Sequence, residues 1–200
     1  MEARLWYRAL SGSLLGTTYG NRRLTGYEMG LVDYYPMNEG TGSYAIDHTQ
    51  GANATLIGAS WAMPRGLSLH VKRADQGLPL SNQALSRTTE QDYTLMLWFK
   101  TDAQGQGVLL ANGSGKATDT GAEDQFCLGF EGGKLIYRSN GMAVEIPGNW
   151  CDNQWHHYAM TVNRSLGIAN IYVDTTLRST FPADSLGGIT GGHPFIGAAV

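Results

Sequence analysis

Short apolar runs recur along the whole chain, most of them alternating with polar residues and bounded by glycine, asparagine, proline or aspartate. Alternation with a period of two is typical of a β-strand with one buried face, and helical periodicity is hard to find. The strand pattern is carried by residues 3–10, 31–37, 54–59, 67–71, 92–100, 107–112, 125–131, 134–140, 143–147, 155–162, 169–175 and 194–198. So many short strands separated by turns predict an all-β fold, a sandwich of two antiparallel sheets of the jelly-roll type.

Two segments depart from the strand pattern. Residues 11–23 predict a short helix, although the glycines at positions 12, 16 and 20 weaken it because glycine is a poor helix former. Residues 113–124 are polar and rich in glycine, which predicts an exposed loop.

Alternation also bears on the stretch QWHHYAMTVN, residues 154–163, where two histidines are adjacent. Successive side chains on a strand point to opposite faces, so Trp155 and His157 share one face while His156 and Tyr158 share the other. The two imidazoles therefore diverge and cannot bind one metal ion together. In a packed strand, a histidine is more often a hydrogen-bonded structural residue than a ligand. We expect Trp155 and Trp98 in the core.

Composition narrows the function classes. With 42% hydrophobic residues, 27 glycines and 16% charged residues, the chain fits a β-domain with many turns. Its net charge is −3 and its lysines and arginines never cluster beyond a pair, so no nucleic-acid partner is expected. The apolar runs are too short to span a bilayer, so no membrane insertion is expected.

Cys127 and Cys151 leave two readings open. They fit no CxxC or zinc pattern, because 23 residues separate them and no histidine stands at ligand spacing from Cys127. They form one disulfide if the chain is secreted, or they are two small buried apolar residues.

Three motifs in fixed order resemble laminin G-like domains of the concanavalin A-like lectin/glucanase type. The motifs are DYTLMLWFKT (92–101), WHHYAMTVN (155–163) and ANIYVD (169–174), and the upstream residues 30–61 resemble the opening of such a domain. The resemblance covers residues 30–200 and implies the same sandwich. Glycine is usual where this chain has Thr175, so we expect a longer turn there.

The N-terminus resembles the closing strand of the same family. The stretch EARLWYRALS, residues 2–11, stands first in this chain. The resemblance implies that residues 1–11 are the closing strand of a preceding repeat in a tandem array. Residues 12–29 would then be a linker, partly helical, and residues 30–200 a sandwich that lacks its own closing strand. We expect residues 2–10 to pair into the vacant edge, in their own chain or by strand exchange with a neighbour.

The fold is shared with β-glucanases, which need paired carboxylates across the scissile bond. The glucanase run Glu-x-Asp-x-x-Glu is matched only partly, by Glu90 and Asp92, with Leu95 in place of the second glutamate. Glu123, Asp124 and Glu131 give no better spacing. The sequence therefore favours a non-catalytic module over a glycoside hydrolase.

The favoured function is binding outside the cell or at its surface, with carbohydrate as the expected ligand. Sugar rings stack on exposed aromatic faces, and the candidate aromatic residues are Trp61, Trp150, Tyr137 and Tyr44. His156 is a further candidate, because it lies on the face of its strand opposite to Trp155 and His157. A protein-binding or spacer repeat of a cell-surface protein is the alternative, and the residues do not separate the two.

A calcium ion is common in domains of this fold, and it binds six to eight oxygen ligands. Asp47 and Asn53, in the stretch DHTQGANA, offer such oxygens. The competing interpretation is that Asp47 caps the turn by accepting hydrogen bonds from backbone amides, which the sequence favours.

Overall fold

The computed structural model describes residues 2–18, 23–62, 68–70, 76–80, 87–102, 104–113, 126–189 and 194–197. Nearly all of its regular structure is β-strand. The strands are β1 (Ala3–Trp6), β2 (Leu31–Tyr35), β3 (Tyr44–Ala45), β4 (Ala54–Thr55), β5 (Ser60–Ala62), β6 (Ser68–His70), β7 (Gly77–Pro79), β8 (Tyr93–Phe99), β9 (Gly107–Asn112), β10 (Phe126–Glu131), β11 (Lys134–Ser139), β12 (Met142–Ile146), β13 (His156–Asn163), β14 (Ile168–Val173), β15 (Thr176–Pro182) and β16 (Pro194–Gly197). One helix, α1 (Gly12–Thr18), and a 3-10 turn, Ala183–Ser185, complete the described elements.

Twelve of the described strands form two six-stranded sheets that pack face to face, and the other four form two small sheets, β3-β4 and β5-β6. The first sheet has the order β15-β14-β13-β8-β1-β2, and the second has the order β12-β11-β10-β9-β16-β7. All pairings within these two sheets are antiparallel. The predicted two-sheet sandwich is confirmed.

The core lies between the sheets and follows the alternation of the strands. On β13 the inward side chains Tyr158, Met160 and Val162 are fully or almost fully buried, and they belong to one cluster with Leu128 and Leu135 of the second sheet. Burial of such side chains removes apolar surface from water and is the main stabilisation of a sandwich.

The outer face of the first sheet is covered by α1 and the loops around it. Leu15 of α1 packs with Trp6, Met96 and Ala159 in a second apolar cluster. The predicted helix is therefore present but ends at Thr18, and residues 19–22 lie outside the described part of the chain. The predicted loop 113–124 lies outside it too, apart from Gly113.

The N-terminal strand β1 lies inside the first sheet and not at its edge. Ala3 pairs with Tyr35 of β2 on one side and with Leu97 of β8 on the other. Residues 3–6 thus pair within their own chain. They occupy a position between β8 and β2 and not an edge of the sheet, because β2 is the edge strand. The origin of this strand in a preceding repeat stays a prediction.

The turn between β14 and β15 corrects another expectation. Val173 pairs directly with Thr176, so Asp174 and Thr175 alone connect the strands, with φ angles of 50° and 65°. The expectation of a longer turn at Thr175 was wrong: a non-glycine residue adopts the left-handed conformation that the two-residue hairpin requires.

The tryptophans and cysteines differ partly from expectation. Trp155 precedes β13 and is 43% exposed, and Trp98 is half-buried, so neither is the core residue expected from alternation. Cys127 and Cys151 are both buried free thiols, which favours the second of the two readings.

Candidate functional site

Two of the predicted aromatic residues come together at the Gly42 loop, which we define as residues 38–43. The indole N–H of Trp61 donates a hydrogen bond to the carbonyl oxygen of Gly42 at 3.0 Å, although 19 residues separate them. Tyr44 follows this loop immediately and its side chain is 56% exposed. Gly40 and Gly42 have φ angles of 70° and 85°, a backbone region in which L side chains are disfavoured.

The Gly42 loop is fixed by hydrogen bonds on both sides. The carboxylate of Glu39 accepts the N–H of Ile46 at 2.8 Å, and the Ser43 carbonyl accepts the N–H of Leu56 at 2.8 Å. Tyr44 pairs with Thr55, and both side chains are exposed while their neighbours in β3 and β4 are buried. The phenol ring is therefore held on a short strand rather than on a free loop.

The surroundings of Tyr44 and Trp61 suit a ligand that has both an apolar face and polar groups. Thr41 and Ser43 in the loop and Thr55, the strand partner of Tyr44, are exposed and carry hydroxyl groups. The C–H face of a sugar ring packs on an aromatic face, whereas its hydroxyls need donors and acceptors nearby. Trp61 is only partly buried and packs against the core with the rest of its ring.

Tyr137 and Trp150 do not contribute to this site, which corrects the sequence prediction. Tyr137 is completely buried between the rings of Phe126 and Phe181. Trp150 is 5% exposed, and its indole N–H donates to the Ile146 carbonyl at 3.0 Å. Neither ring presents a face to solvent, because both fill the space between the sheets.

His156 is likewise a buried, hydrogen-bonded residue and does not line an open surface. Its Nδ1 lies 2.8 Å from Asp174 Oδ2 and its Nε2 lies 3.0 Å from Asp152 Oδ1. The ring packs edge-on against Trp150 with centroids 5.1 Å apart. Burial alone would lower the pKa of His156, but the hydrogen bonds to Asp174 and Asp152 outweigh it and raise that pKa.

His157 points to the other face of β13, as alternation predicts. Its imidazole meets Trp98 edge-on at 5.2 Å, whereas His156 lies beside Phe99 at 5.5 Å. Burial, with a smaller contribution from the charge of Arg4, lowers the pKa of His157 to about 4. The two histidines are therefore not a metal-binding pair.

Asp47 Oδ1 and Asn53 Oδ1 both accept hydrogen bonds from backbone amides. Asp47 Oδ1 accepts the N–H groups of Tyr34 at 3.1 Å and Thr49 at 2.9 Å, and the Thr49 hydroxyl lies 2.8 Å from both carboxylate oxygens. Asn53 Oδ1 accepts the N–H of Asp47 at 3.2 Å. This set of hydrogen bonds fits the capped turn, and calcium binding at Asp47 and Asn53 stays a prediction. Within the described ranges, no group of three or more His, Cys, Asp or Glu residues could hold a metal ion.

Of the carboxylates considered for glycoside hydrolysis, two accept hydrogen bonds from other residues and one lies outside the strand expected to carry it. Asp92 accepts the N–H of Arg164 at 2.7 Å, and Glu90 lies outside β8. Glu131 forms two 2.7 Å hydrogen bonds with Arg138. Glu123 and Asp124 lie outside the described residues.

Asp33 is a carboxyl group with a strongly raised pKa, but it lies between the sheets. Burial, together with the charge of Asp47, raises the pKa of Asp33 to about 7. The residue is only 7% exposed, so a polymeric substrate does not reach it. It therefore does not act as the exposed acid that a glycosidase needs.

Sequence reasoning missed one prominent surface aromatic. Tyr27 is 76% exposed, and its hydroxyl accepts a hydrogen bond from Gln50 Nε2 at 2.9 Å. The available signal is a single aromatic residue in the stretch TGYEMG, residues 25–30, most of which the sequence predicts as a linker.

Comparisons with known proteins agree with the sandwich. The laminin G-like family model described as the concanavalin A-like lectin/glucanases superfamily matches residues 72–200. No curated protein matches the chain. No helix among the described residues has the length and apolar character needed to cross a membrane.

Solved structures with the same fold include two kinds of binding domain. Domain 4 of AbnA, an extracellular arabinanase of family GH43 from Geobacillus stearothermophilus solved with arabinotriose, aligns with a TM-score of 0.58 at 17% identity, covering 82% of each chain. The binding domain of Paraclostridial Mosquitocidal Protein 1 aligns with a TM-score of 0.59 at 16% identity, covering 78% of this chain and 42% of that one. The receptor binding domain of botulinum neurotoxin D gives a TM-score of 0.52 at 15% identity, covering 76% and 41%. The chain thus spans less than half of either toxin domain.

Proposed function

Because the chain belongs to the concanavalin A-like lectin/glucanases superfamily, we propose that it is a non-catalytic module that binds carbohydrate at the Gly42 loop. The module would act outside the cell or at its surface, where polymeric glycans are present. The single observation that carries the proposal is the hydrogen bond from the Trp61 indole to the Gly42 carbonyl, which places Trp61 at the loop that precedes the exposed Tyr44.

The chemistry of the Gly42 loop supports a sugar over a purely apolar ligand. An exposed phenol, a partly exposed indole and three neighbouring hydroxyl side chains combine apolar faces with hydrogen-bonding groups. Ligand sites commonly have this composition, with aromatic walls and a few placed polar groups. The rings are held by strand pairing and loop hydrogen bonds, so little conformational entropy is lost on binding.

The non-catalytic part of the proposal is supported by the carboxylates. Asp152 and Asp174 both hydrogen-bond to one imidazole, and its hydrogen bond to Asp152 lowers the pKa of that aspartate. A general acid needs the opposite, a raised pKa at an accessible carboxyl group. The similar arabinanase structure is that of domain 4 of the enzyme, solved in complex with arabinotriose.

Affinity gel electrophoresis with soluble arabinan, xylan and mixed-linkage β-glucan tests the proposal, followed by titration calorimetry with oligosaccharides of any glycan that retards the protein. Tyr44→Ala should weaken binding on the order of tenfold, a common effect of removing an aromatic contact residue. Trp61→Phe keeps an aromatic ring but removes the donor to Gly42, so we expect a smaller loss. Trp155→Ala, which removes an exposed tryptophan immediately before β13, is the matched control.

Two results would overturn the proposal. One is a folded wild-type protein that binds no glycan but captures a defined extracellular protein, which would favour the protein-binding alternative. The other is glycan binding that Tyr44→Ala and Trp155→Ala weaken equally, because the Gly42 loop would then have no special part in it.

A further inference from the structure

Exposed side chains continue beyond Tyr44 along the same edge of the sandwich. Ile46 is 45% exposed and His48 is also exposed, whereas Ala45 and Asp47 between them are 0% and 4% exposed. Every second residue from 44 to 48 therefore faces solvent. This alternation is that of an extended segment with one face against the protein.

The position of this segment follows from its hydrogen bonds to β2, the edge strand of the first sheet. The His48 N–H donates to the Tyr34 carbonyl at 2.9 Å, and the Thr49 hydroxyl donates to the Val32 carbonyl at 2.8 Å. The segment thus covers the outer edge of β2. At 3.3 Å per residue, the outward side chains from Tyr44 to His48 span about 13 Å.

Tyr27 extends this row beyond His48. The backbone of Gly26 lies against the His48 carbonyl so closely that a β-carbon there would collide with it, and its φ angle of 90° also favours glycine. The carboxylate of Glu28 accepts the N–H groups of Thr25 at 2.8 Å and Gly26 at 3.0 Å, which fixes the loop. Tyr27 is thereby held next to His48 with most of its ring in solvent.

We propose that Tyr44, Ile46, His48 and Tyr27 form one continuous surface, the edge stripe, that binds a linear, uncharged oligosaccharide. This proposal rests on the proposed function and places the Gly42 loop at one end of the stripe and Tyr27 at the other. The ligand is linear because the stripe follows one extended segment and does not converge into a pocket.

The ligand is uncharged because the stripe offers no fixed charge to an ionic one. Its side chains are two phenols, a sec-butyl group and an imidazole, and Gln50 adds an amide beside Tyr27. The carboxylates nearest the stripe are Glu28, Glu39 and the buried Asp47, and each already accepts hydrogen bonds from backbone amides. Hydroxyl groups and C–H faces are what such a row can recognise.

A chain-length series separates the edge stripe from the Gly42 loop alone. Calorimetry would compare the trisaccharide and the hexasaccharide of the arabinan, xylan and cellulose series against wild type, Tyr27→Ala and Tyr44→Ala. The wild type should bind the hexasaccharide on the order of tenfold more tightly than the trisaccharide, as expected when a second aromatic contact is added. Tyr27→Ala should remove this gain and leave trisaccharide binding unchanged, whereas Tyr44→Ala should weaken both.

Two control variants make the result specific. Tyr27→Phe keeps the ring and loses only the hydroxyl that accepts from Gln50, so it should retain most of the length-dependent gain. Trp155→Ala should behave as wild type, because β8 and β1 separate β13 from β2 by about 14 Å in total. All of these residues are exposed, and melting curves would check that each variant is folded.

The failures are distinguishable. If Tyr27→Ala binds the hexasaccharide as the wild type does, the edge stripe is wrong and the Gly42 loop remains the site. If the wild type binds trisaccharide and hexasaccharide equally, the stripe is also wrong. If the wild type binds no member of the three series, both this inference and the proposed carbohydrate function fall for these glycans.

Discussion

At the scale of single residues, Thr175 has the most unfavourable backbone in the described chain for its side-chain type. It is β-branched, yet its φ angle is 65°, and Asp174 before it has a φ angle of 50°. Such left-handed residues cost about 1–3 kcal/mol and persist only where the surroundings fix them. Here Asp174 fixes the turn, since its N–H donates to the His157 carbonyl and its Oδ1 accepts the His157 N–H.

Thr175→Gly should raise the free energy of unfolding by about 1 kcal/mol, because glycine adopts this conformation without a steric cost and Asp-Gly is a favoured two-residue turn. Urea unfolding would measure the change. Thr175→Ala is the matched control: it also removes the hydroxyl that donates to the Asp174 carbonyl, but it keeps the β-carbon. Equal shifts in the two variants would show that backbone strain is not the source of the effect.

His156 and His157 titrate in opposite directions although they are neighbours. The hydrogen bonds to Asp174 and Asp152 raise the pKa of His156, so its contribution to stability is complete below the unfolded value of about 6.5 and is lost as pH rises through the higher folded value. The pKa of His157 is lowered to about 4, so its contribution is present above about 6.5 and is lost as pH falls through 4.

Titration of the imidazole ring protons by NMR should therefore give one pKa above 6.5 and one near 4 for these two residues. Asp152→Asn should shift the pKa of His156 downward, because it removes one of the two carboxylates, and should leave His157 unchanged. The loss of unfolding free energy above pH 6.5 should then shrink in this variant. A wild-type His156 that titrates at or below 6.5 would contradict the raised pKa and the part of the two aspartates in it.

At the scale of elements, alternation predicted most strands because each has one face on a single core. It did not predict β15, whose residues are exposed or half-buried on both faces, as is common for an edge strand. It also placed Trp155 in the core, although β13 begins one residue later.

The candidate site was predictable only in part. Tyr44 and Trp61 were identified from their places near turns, and the same criterion selected Tyr137 and Trp150, which are buried. Proximity to a turn describes the local chain, whereas burial of these two rings depends on the opposite sheet and on Phe181 of β15. The hydrogen bond from Trp61 to Gly42 is equally non-local, so no local pattern could indicate it.

The turn at residues 47–53 carries its own prediction. Asp47→Ala should lower the free energy of unfolding by about 1–3 kcal/mol, since it leaves buried amides of the turn without an acceptor. The melting temperature of the wild type should be the same in calcium chloride and in EDTA, because Asp47 Oδ1 already accepts two backbone N–H groups of the turn and of β2. Asp102→Ala, at an exposed aspartate, controls for the loss of charge. A calcium-dependent increase that Asp47→Ala abolishes would instead establish a metal site.

At the scale of the whole molecule, the first sheet is completed by the first residues of the chain. β1 separates β2 from β8. It buries Leu5 in the core between the sheets, and it buries Arg4 and Trp6 on the outer face of the first sheet, where Trp6 packs with Leu15 of α1. Without it, two strands would each have an unpaired inner edge, and loss of each large buried side chain would cost about 2–5 kcal/mol. Deletion of residues 1–11 should therefore lower the melting temperature or the solubility sharply, and an unchanged melting temperature would refute a stabilising role for β1.

Strand exchange adds a requirement that deletion alone does not test, namely that the position between β2 and β8 accepts a strand from outside. β1 is joined to β2 by residues 7–30 and not by a tight hairpin. We therefore expect strand pairing and side-chain burial, and not the covalent connection, to hold β1 in the position between β2 and β8. A synthetic peptide of residues 2–11 should restore the melting temperature of the truncated protein in a saturable manner. The same peptide with Leu5→Asp should not restore the melting temperature, because an unpaired carboxylate would then be buried between the sheets. If neither peptide has an effect on a truncated protein that is folded, the strand is exchangeable neither in this chain nor between copies, and the pairing serves one molecule alone.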